Sequence, residues 1–217
     1  MAATLAICEL FRSIQGESAF AGLPCGFVRT TGCNLRCRWC DTKYAYAAAG
    51  ETRPVRAVAE ELISMDTPLV CITGGEPLLQ TEGTVALAER LLGAGLTVLL
   101  ETNGTMDVRP VPEGVIRVMD VKCPSSGECG RTLPENLEAL RPRDEVKFVI
   151  ADREDFDWAL DFVRERRLVG GAKVLFAPVC DELAPQRLAE WILECGQSVR
   201  LQLQLHKILW PDRPRGV

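Results

Sequence analysis

Leu69-Val70-Cys71-Ile72-Thr73 runs directly into Gly74-Gly75-Glu76-Pro77. The first five residues form an apolar run too short for a helix, and they read as a buried strand that the glycines end. Thr81 then caps a helix whose residues Val85, Ala88 and Leu92 share one face, closed by Gly93 and Gly95. Leu96 to Leu100 is the next strand. Strand, helix and strand in this order make a βαβ unit, with parallel strands and a right-handed crossover.

The alternation extends in both directions. Pro54 to Met65 carries Val55, Val58, Ala59, Leu62 and Ile63 at helical spacing. Val115 to Val121, Glu145 to Ile150, Lys173 to Ala177 and Val199 to Leu205 read as further strands. A weak helix follows Pro134, and another begins at Asp152 and Asp155 with Phe156, Leu160 and Val163 inward. A third spans Pro185 to Glu194 with Leu188 and Ile192 inward. Upstream, Leu5 to Ser13 and Gly26 to Thr31 read as a strand pair around a Gly-rich turn. Roughly six βα units are too few for a closed eight-fold barrel, so the expected fold is an α/β open, partial βα barrel with a mostly parallel sheet. No repeat, low-complexity tract or linker divides the chain, and residues 1–217 read as a single domain.

Composition agrees. At 217 residues, with 47% apolar and 25% charged, the chain has ordinary globular make-up and enough length for a sizeable core. Its 25 basic and 30 acidic residues give a net charge of −5, which argues against bulk nucleic-acid binding. No apolar run approaches a membrane span, and Met1-Ala2-Ala3-Thr4 lacks a basic leader, so no membrane partner and a cytoplasmic location are expected. Ten cysteines in such a chain read as thiols and metal ligands.

Three of them stand in one loop, Gly32-Cys33-Asn34-Leu35-Arg36-Cys37-Arg38-Trp39-Cys40, spaced C-x₃-C-x₂-C. Three thiolates can hold three irons of a [4Fe–4S] cube and leave the fourth to a non-protein ligand. The competing zinc reading wants four ligands, commonly in pairs. Cys8, Cys25, Cys71, Cys123, Cys129, Cys180 and Cys195 form no second C-x₂-C, and Cys71 and Cys195 read as small buried hydrophobes. The loop resembles that of the radical S-adenosylmethionine (SAM) enzymes. There the SAM amino and carboxylate groups chelate the fourth iron, and electron transfer to the sulfonium yields a 5′-deoxyadenosyl radical.

Ligands collect at the C-terminal ends of parallel strands. The cysteine loop, Thr73 to Pro77, Glu101-Thr102-Asn103-Gly104 and Asp120 to Gly127 all fall at such ends. One of them could be a plain turn; four on one rim point to a site. Gly74-Gly75-Glu76-Pro77 resembles the radical-SAM segment that lies against the methionyl end of SAM, where glycine permits close backbone approach and a carbonyl accepts from the ammonium.

Further segments narrow the resemblance: Phe11 to Ser18, Phe27 to Thr30, Cys40-Asp41-Thr42, Lys122 to Gly127, and Leu205-His206-Lys207-Ile208-Leu209-Trp210-Pro211. Together they resemble the 7-carboxy-7-deazaguanine synthases over nearly the whole chain, with Gln15-Gly16-Glu17 the most specific part. That family converts 6-carboxy-5,6,7,8-tetrahydropterin to 7-carboxy-7-deazaguanine with loss of ammonia. The radical removes the C6 hydrogen, the ring contracts, and SAM is regenerated.

The resemblance implies roles by position. Cys33, Cys37 and Cys40 would hold the cluster. Ile14, Gln15 and Gly16 would meet the pterin with Glu17 close by, Arg29 would grip its carboxylate in a two-pronged contact, and Thr73 would also touch it. Thr42 would offer its hydroxyl to a Mg²⁺ bridging that carboxylate. Gly75, Asp120, Lys122 and Ser125 would meet SAM. The chain departs from the family with Asp120-Val121 in place of Ser-Pro and with Ala177 in place of glutamine. His206 belongs to the family tail. A low-potential electron donor such as flavodoxin or ferredoxin and a homodimer are also implied. The plainer alternatives are a solvated Arg29, a helix-capping Thr42, and turn roles for Gln15 and Glu17. Competing functions are a glycyl-radical activating enzyme, which acts on a protein, and a non-catalytic iron–sulfur or zinc module.

Overall fold

Two-residue periodicity divides the strand side chains between two cores. A computed structural model describes residues 3–46 and 50–217. Its strands are β1 (Thr4–Ile14), β2 (Pro24–Thr30), β3 (Glu51–Pro54), β4 (Leu69–Gly74), β5 (Thr97–Thr102), β6 (Ile116–Val121), β7 (Glu145–Ile150), β8 (Lys173–Pro178) and β9 (Val199–Leu201). Its helices are α1 (Val55–Ser64), α2 (Thr81–Gly93), α3 (Pro134–Glu138), α4 (Arg153–Glu165), α5 (Pro185–Glu194) and α6 (Leu205–Leu209).

All strands join one nine-stranded sheet in the order β3-β1-β2-β4-β5-β6-β7-β8-β9. β2 and β4 to β9 pair in parallel, while β1 runs antiparallel to both β2 and β3. The two edge strands, β3 and β9, are not paired with each other, so the barrel is open, as the alternation of elements implies. Among the described residues, no helix is long and apolar enough to cross a membrane.

Val28, Val70, Ile72, Val98, Leu100, Met119 and Phe148 face the helices in the larger core. The opposite phase, Cys25, Phe27, Leu69, Cys71 and Leu99, forms a smaller cluster under the concave face. Each of these rows continues, two residues on, into a polar residue: Arg29, Thr73 and Glu101. The inner face is therefore apolar at its base and polar at the rim.

Four expectations need correcting. Pro54 closes β3 instead of opening a helix; Glu51–Pro54 pairs with Thr4–Ile7, and its polar, outward-facing sequence gives no apolar alternation. Thr81 is the first residue of α2 and not its cap, because its hydroxyl donates to Leu78 O and closes a 3₁₀ turn at Pro77–Gln80. The buried face of α2 centres on Leu87, Ala88 and Leu91 instead of Val85 and Leu92. Gly83 sets that rotation, since a Cβ there would collide with Thr4 O. Finally, β9 stops at Leu201, and Leu205 opens α6, its N–H donating to Gly16 O at 3.0 Å. Cys71 is buried as expected, whereas Cys195 and Ile192 are half-buried against the core.

Candidate active site

The rim residues enclose a cavity of about 810 Å³. Arg29 from β2, Thr73 from β4, Glu101 from β5, Asp120 from β6 and Lys147 from β7 line it, with Gln15, Gly16 and Glu17 from the β1–β2 loop. A cavity of this size suits one or two small molecules.

Cys33, Cys37 and Cys40 all line the cavity, half-buried, and none of the ten cysteines is in a disulfide. Their loop is held on several sides. Leu35 is fully buried, Glu76 N–H donates to Gly32 O at 2.8 Å, and Arg38 N–H donates to Ser126 O at 3.0 Å. Asn34 links to Thr105 at 2.7 Å and to Asn103 at 3.1 Å. Gly75 packs so tightly that a Cβ would lie 2.8 Å from Cys33 Cβ, which is why glycine stands there. Among the described residues, no three His, Cys, Asp or Glu side chains converge on a point where one ion could sit. The three cysteines share the cavity lining, and a set of three thiolates suits a [4Fe–4S] cube whose fourth iron takes a non-protein ligand, whereas a structural zinc site wants four protein ligands.

Glu76 is the buried joint between two strand ends. Its Oε1 accepts from Leu78 N–H at 3.0 Å and Thr102 Oγ1 at 2.9 Å, and its Oε2 from Asn103 N–H at 2.7 Å. Burial pushes this carboxyl up, opposed by those three donors.

The substrate side is a chain of charges. Lys147 Nζ lies 2.6 Å from Glu17 Oε2 and 3.4 Å from Asp120 Oδ2, and Lys122 Nζ lies 2.9 Å from the same Asp120 oxygen. Gln204 donates to Glu17 Oε1 at 2.7 Å. Burial pushes Glu17 up, but the Lys147 ammonium and the Gln204 amide outweigh it and hold the carboxyl at about 2. Arg29 Nε donates to Glu9 Oε2 at 2.8 Å, and Tyr44 donates to that oxygen at 2.6 Å. The two terminal nitrogens of Arg29 make no protein hydrogen bond among the described residues. Thr73 donates to Glu101 at 2.7 Å, and Thr42 to Asp41 at 2.9 Å, with Lys207 3.2 Å from Asp41.

Among the described residues, two buried side-chain polar atoms have no partner: Gln15 Nε2 and Asp120 Oδ1. Both residues line the cavity. An unpartnered buried group costs about 1–3 kcal/mol, so both atoms are open to a partner supplied by a ligand or an ordered water in the cavity.

Thirteen of the fourteen residues expected from the sequence come together on this cavity, among them Ile14, Gly75 and Lys122; Ser125 does not. Its hydroxyl and its N–H both donate to Asp155 of α4, facing away from the opening. Glu101, Lys147 and Gln204 join the site without having been singled out individually. Only the position of Glu101 after a strand could have signalled it.

The radical SAM superfamily model matches residues 27–177, from β2 to β8. The chain is 44% identical to the 7-carboxy-7-deazaguanine synthase of Koribacter versatilis, over 97% of this chain and 99% of that one. It is 43% identical to the same enzyme of Chlorobaculum tepidum, over 99% and 98%.

The chain belongs to the 7-carboxy-7-deazaguanine synthase family of radical SAM enzymes.

The synthase family also contains a Thermoplasma acidophilum relative at 40% identity over 96% of this chain. The solved structure of QueE from Escherichia coli superposes with a TM-score of 0.71 at 23% identity, covering 93% and 94% of the two chains, and shares the fold. So does SuiB of Streptococcus suis bound to the precursor peptide SuiA, at a TM-score of 0.59 over 82% of this chain and 47% of that one. A radical SAM enzyme carries a [4Fe–4S] cluster, uses SAM and takes its electron from a reductant. In this synthase the Cys33-Cys37-Cys40 wall fits the cluster.

Proposed function

We propose that this enzyme converts 6-carboxy-5,6,7,8-tetrahydropterin to 7-carboxy-7-deazaguanine with release of ammonia, in 7-deazapurine (queuosine) biosynthesis. The observation that carries the reading is the pairing on one cavity wall of an open Arg29 fork with the unpartnered Gln15 amide, beside three cysteines. An open guanidinium fits a carboxylate and an orphaned amide fits a polar heterocycle, whereas a protein substrate would need an exposed docking surface.

Cys33, Cys37 and Cys40 would bind three irons, leaving the fourth for SAM. A bound cluster and SAM would supply the one-electron radical chemistry for hydrogen removal at C6. The residues of the chain do the rest. Glu9 and Tyr44 hold the Arg29 guanidinium from behind, so its free nitrogens present a fixed fork to the substrate carboxylate. Ile14, Gln15 and Gly16 form one wall for the ring, with Gln15 Nε2 donating and ionised Glu17 accepting from ring N–H groups. Thr73 is oriented by Glu101 toward the substrate. Thr42, beside the Asp41 carboxylate, supplies an oxygen for Mg²⁺.

Gly75 gives SAM close access to backbone, and Asp120 Oδ1 and Lys122 offer an acceptor and a cation to it. Ser125 supports SAM only through its turn, since Asp155 takes its hydroxyl. The whole of 1–217 serves as one core domain, consistent with all nine strands lying in one sheet. A flavodoxin- or ferredoxin-type donor supplies the electron. Ten unpaired cysteines suit the reducing cytoplasm. A homodimer rests on the family resemblance.

The test is an anaerobic incubation of the reconstituted protein with SAM, dithionite and the pterin, read by mass spectrometry. The 7-carboxy-7-deazaguanine mass supports the proposal. SAM cleavage with the pterin intact overturns the substrate assignment.

A further inference from the structure

Strand β7 lies beneath the loop that joins β1 to β2, and its alternate residues hold that loop from below. Glu145 accepts from Ala19 N–H at 3.1 and 3.0 Å through its two oxygens. Two residues on, Lys147 donates to Glu17 at 2.6 Å. Both side chains are buried, Glu145 fully and Lys147 to 9% exposure. Residues 17 and 19 of the loop thus sit over residues 147 and 145 of the strand, two steps apart on each.

A buried ion pair is weak as a stabilising device, because desolvation offsets most of its attraction, and an apolar pair of similar volume often serves as well. Among the described residues, Lys147 is also the one cation touching both Glu17 and Asp120, the carboxylate it shares with Lys122. Its place between two carboxylates of the cavity is better explained by what they hold.

We infer that Lys147 is a positioning residue: it aims the Glu17 carboxylate at the N–H edge of the substrate ring and balances its charge. This rests on the reading of Glu17 as a ring contact. An ionised carboxylate only accepts, whereas a protonated one would present an O–H to the ring's N–H donors. The groups facing Glu17 are Lys147 from β7, Gln204 before α6, His206 on α6, and Gln15, whose Oε1 accepts from Glu17 N–H at 3.1 Å. Lys147 contributes the largest opposition to the effect of burial. Without it, burial acts on Glu17 against only Gln204 and His206, and the carboxyl moves upward.

The test uses reconstituted wild type, Lys147→Met, Lys147→Arg, Glu17→Gln and the Lys147→Met/Glu17→Gln double variant. The readouts are kcat and KM from about pH 5.5 to about pH 8.5. Lys147→Met should raise KM about tenfold with a smaller change in kcat, and the loss should grow as pH falls. Lys147→Arg should recover most of the affinity. In the Glu17→Gln background, Lys147→Met should add less than about twofold. Additive effects, or a Lys147→Met profile that overlays wild type, would overturn the inference. Cluster absorbance and melting curves screen for folding, and Lys147→Arg carries the test if Lys147→Met is unfolded: KM and pH profile near wild type are expected, and a large rise in KM at unchanged Glu17 charge overturns it. A second readout, the carboxyl ¹³C titration of Glu17 without substrate, should move from near 2 to above the ordinary 4.5 in Lys147→Met. If wild type ignores the pterin, the substrate reading fails, and this titration still decides whether Lys147 sets the charge of Glu17.

Discussion

Gly16 and His206 meet so closely that a Cβ on Gly16 would collide with the imidazole Nδ1. The adjacent Leu205 N–H donates to Gly16 O at 3.0 Å. The two ends of the chain therefore close one wall of the cavity together. Gly16→Ala should push the His206 segment outward and raise KM for the pterin about tenfold or more. Because α6 buries no residue, the melting temperature should hardly change. A KM equal to that of wild type would separate this contact from binding.

Arg29→Lys keeps a charge but loses the fork that Glu9 and Tyr44 hold in place. A lost charge-assisted hydrogen bond is worth about 1.5–3 kcal/mol, so kcat/KM should fall about a hundredfold with the cluster spectrum intact. Unchanged turnover would remove Arg29 from the site.

Cys37→Ala leaves two cysteines on the cluster wall. Iron content after reconstitution should drop, and reductive SAM cleavage should vanish. Wild-type cleavage by this variant would refute the assignment of the cluster ligands.

Glu76→Gln must place an NH₂ against a backbone or hydroxyl donor, since both carboxylate oxygens accept. The mismatch should cost about 1–3 kcal/mol in urea unfolding, with the midpoint lowered and the slope kept.

Much of this architecture is legible in the sequence. The buried strands from β4 to β8 announce themselves as short apolar runs, and the strand-end motifs locate the cavity rim. The remainder depends on partners distant along the chain. The sequence resemblance assigns Ser125 to SAM, yet Asp155, thirty residues later, captures its hydroxyl. Lys147 sits inside an apolar strand where a lone lysine carries no signal, and its meaning comes from Glu17, 130 residues away. Gln204 lies in a stretch that reads as strand until Gly16 takes the Leu205 amide. The tilt of α2 follows from the missing side chain of Gly83.

Acid should weaken the fold through the same charges. Glu17 and Asp41 are both held at about 2, below ordinary values of 4.5 and 3.8. Burial pushes Glu17 up and Lys147 overrides it; at Asp41, whose side chain is exposed, the Lys207 ammonium and the Thr42 hydroxyl lower the carboxyl. Groups with a lowered folded pKa add stability that is present above their unfolded values and is lost as pH falls toward the folded ones. Urea midpoints should therefore decline between about pH 4.5 and pH 2, and Glu17→Gln should flatten part of that decline.

The most direct test of the central claim is anaerobic turnover of the pterin deuterated at C6, with product and recovered SAM analysed by mass spectrometry. The account predicts 7-carboxy-7-deazaguanine with deuterium appearing in the recovered SAM. An intact, fully deuterated pterin alongside cleaved SAM would contradict it.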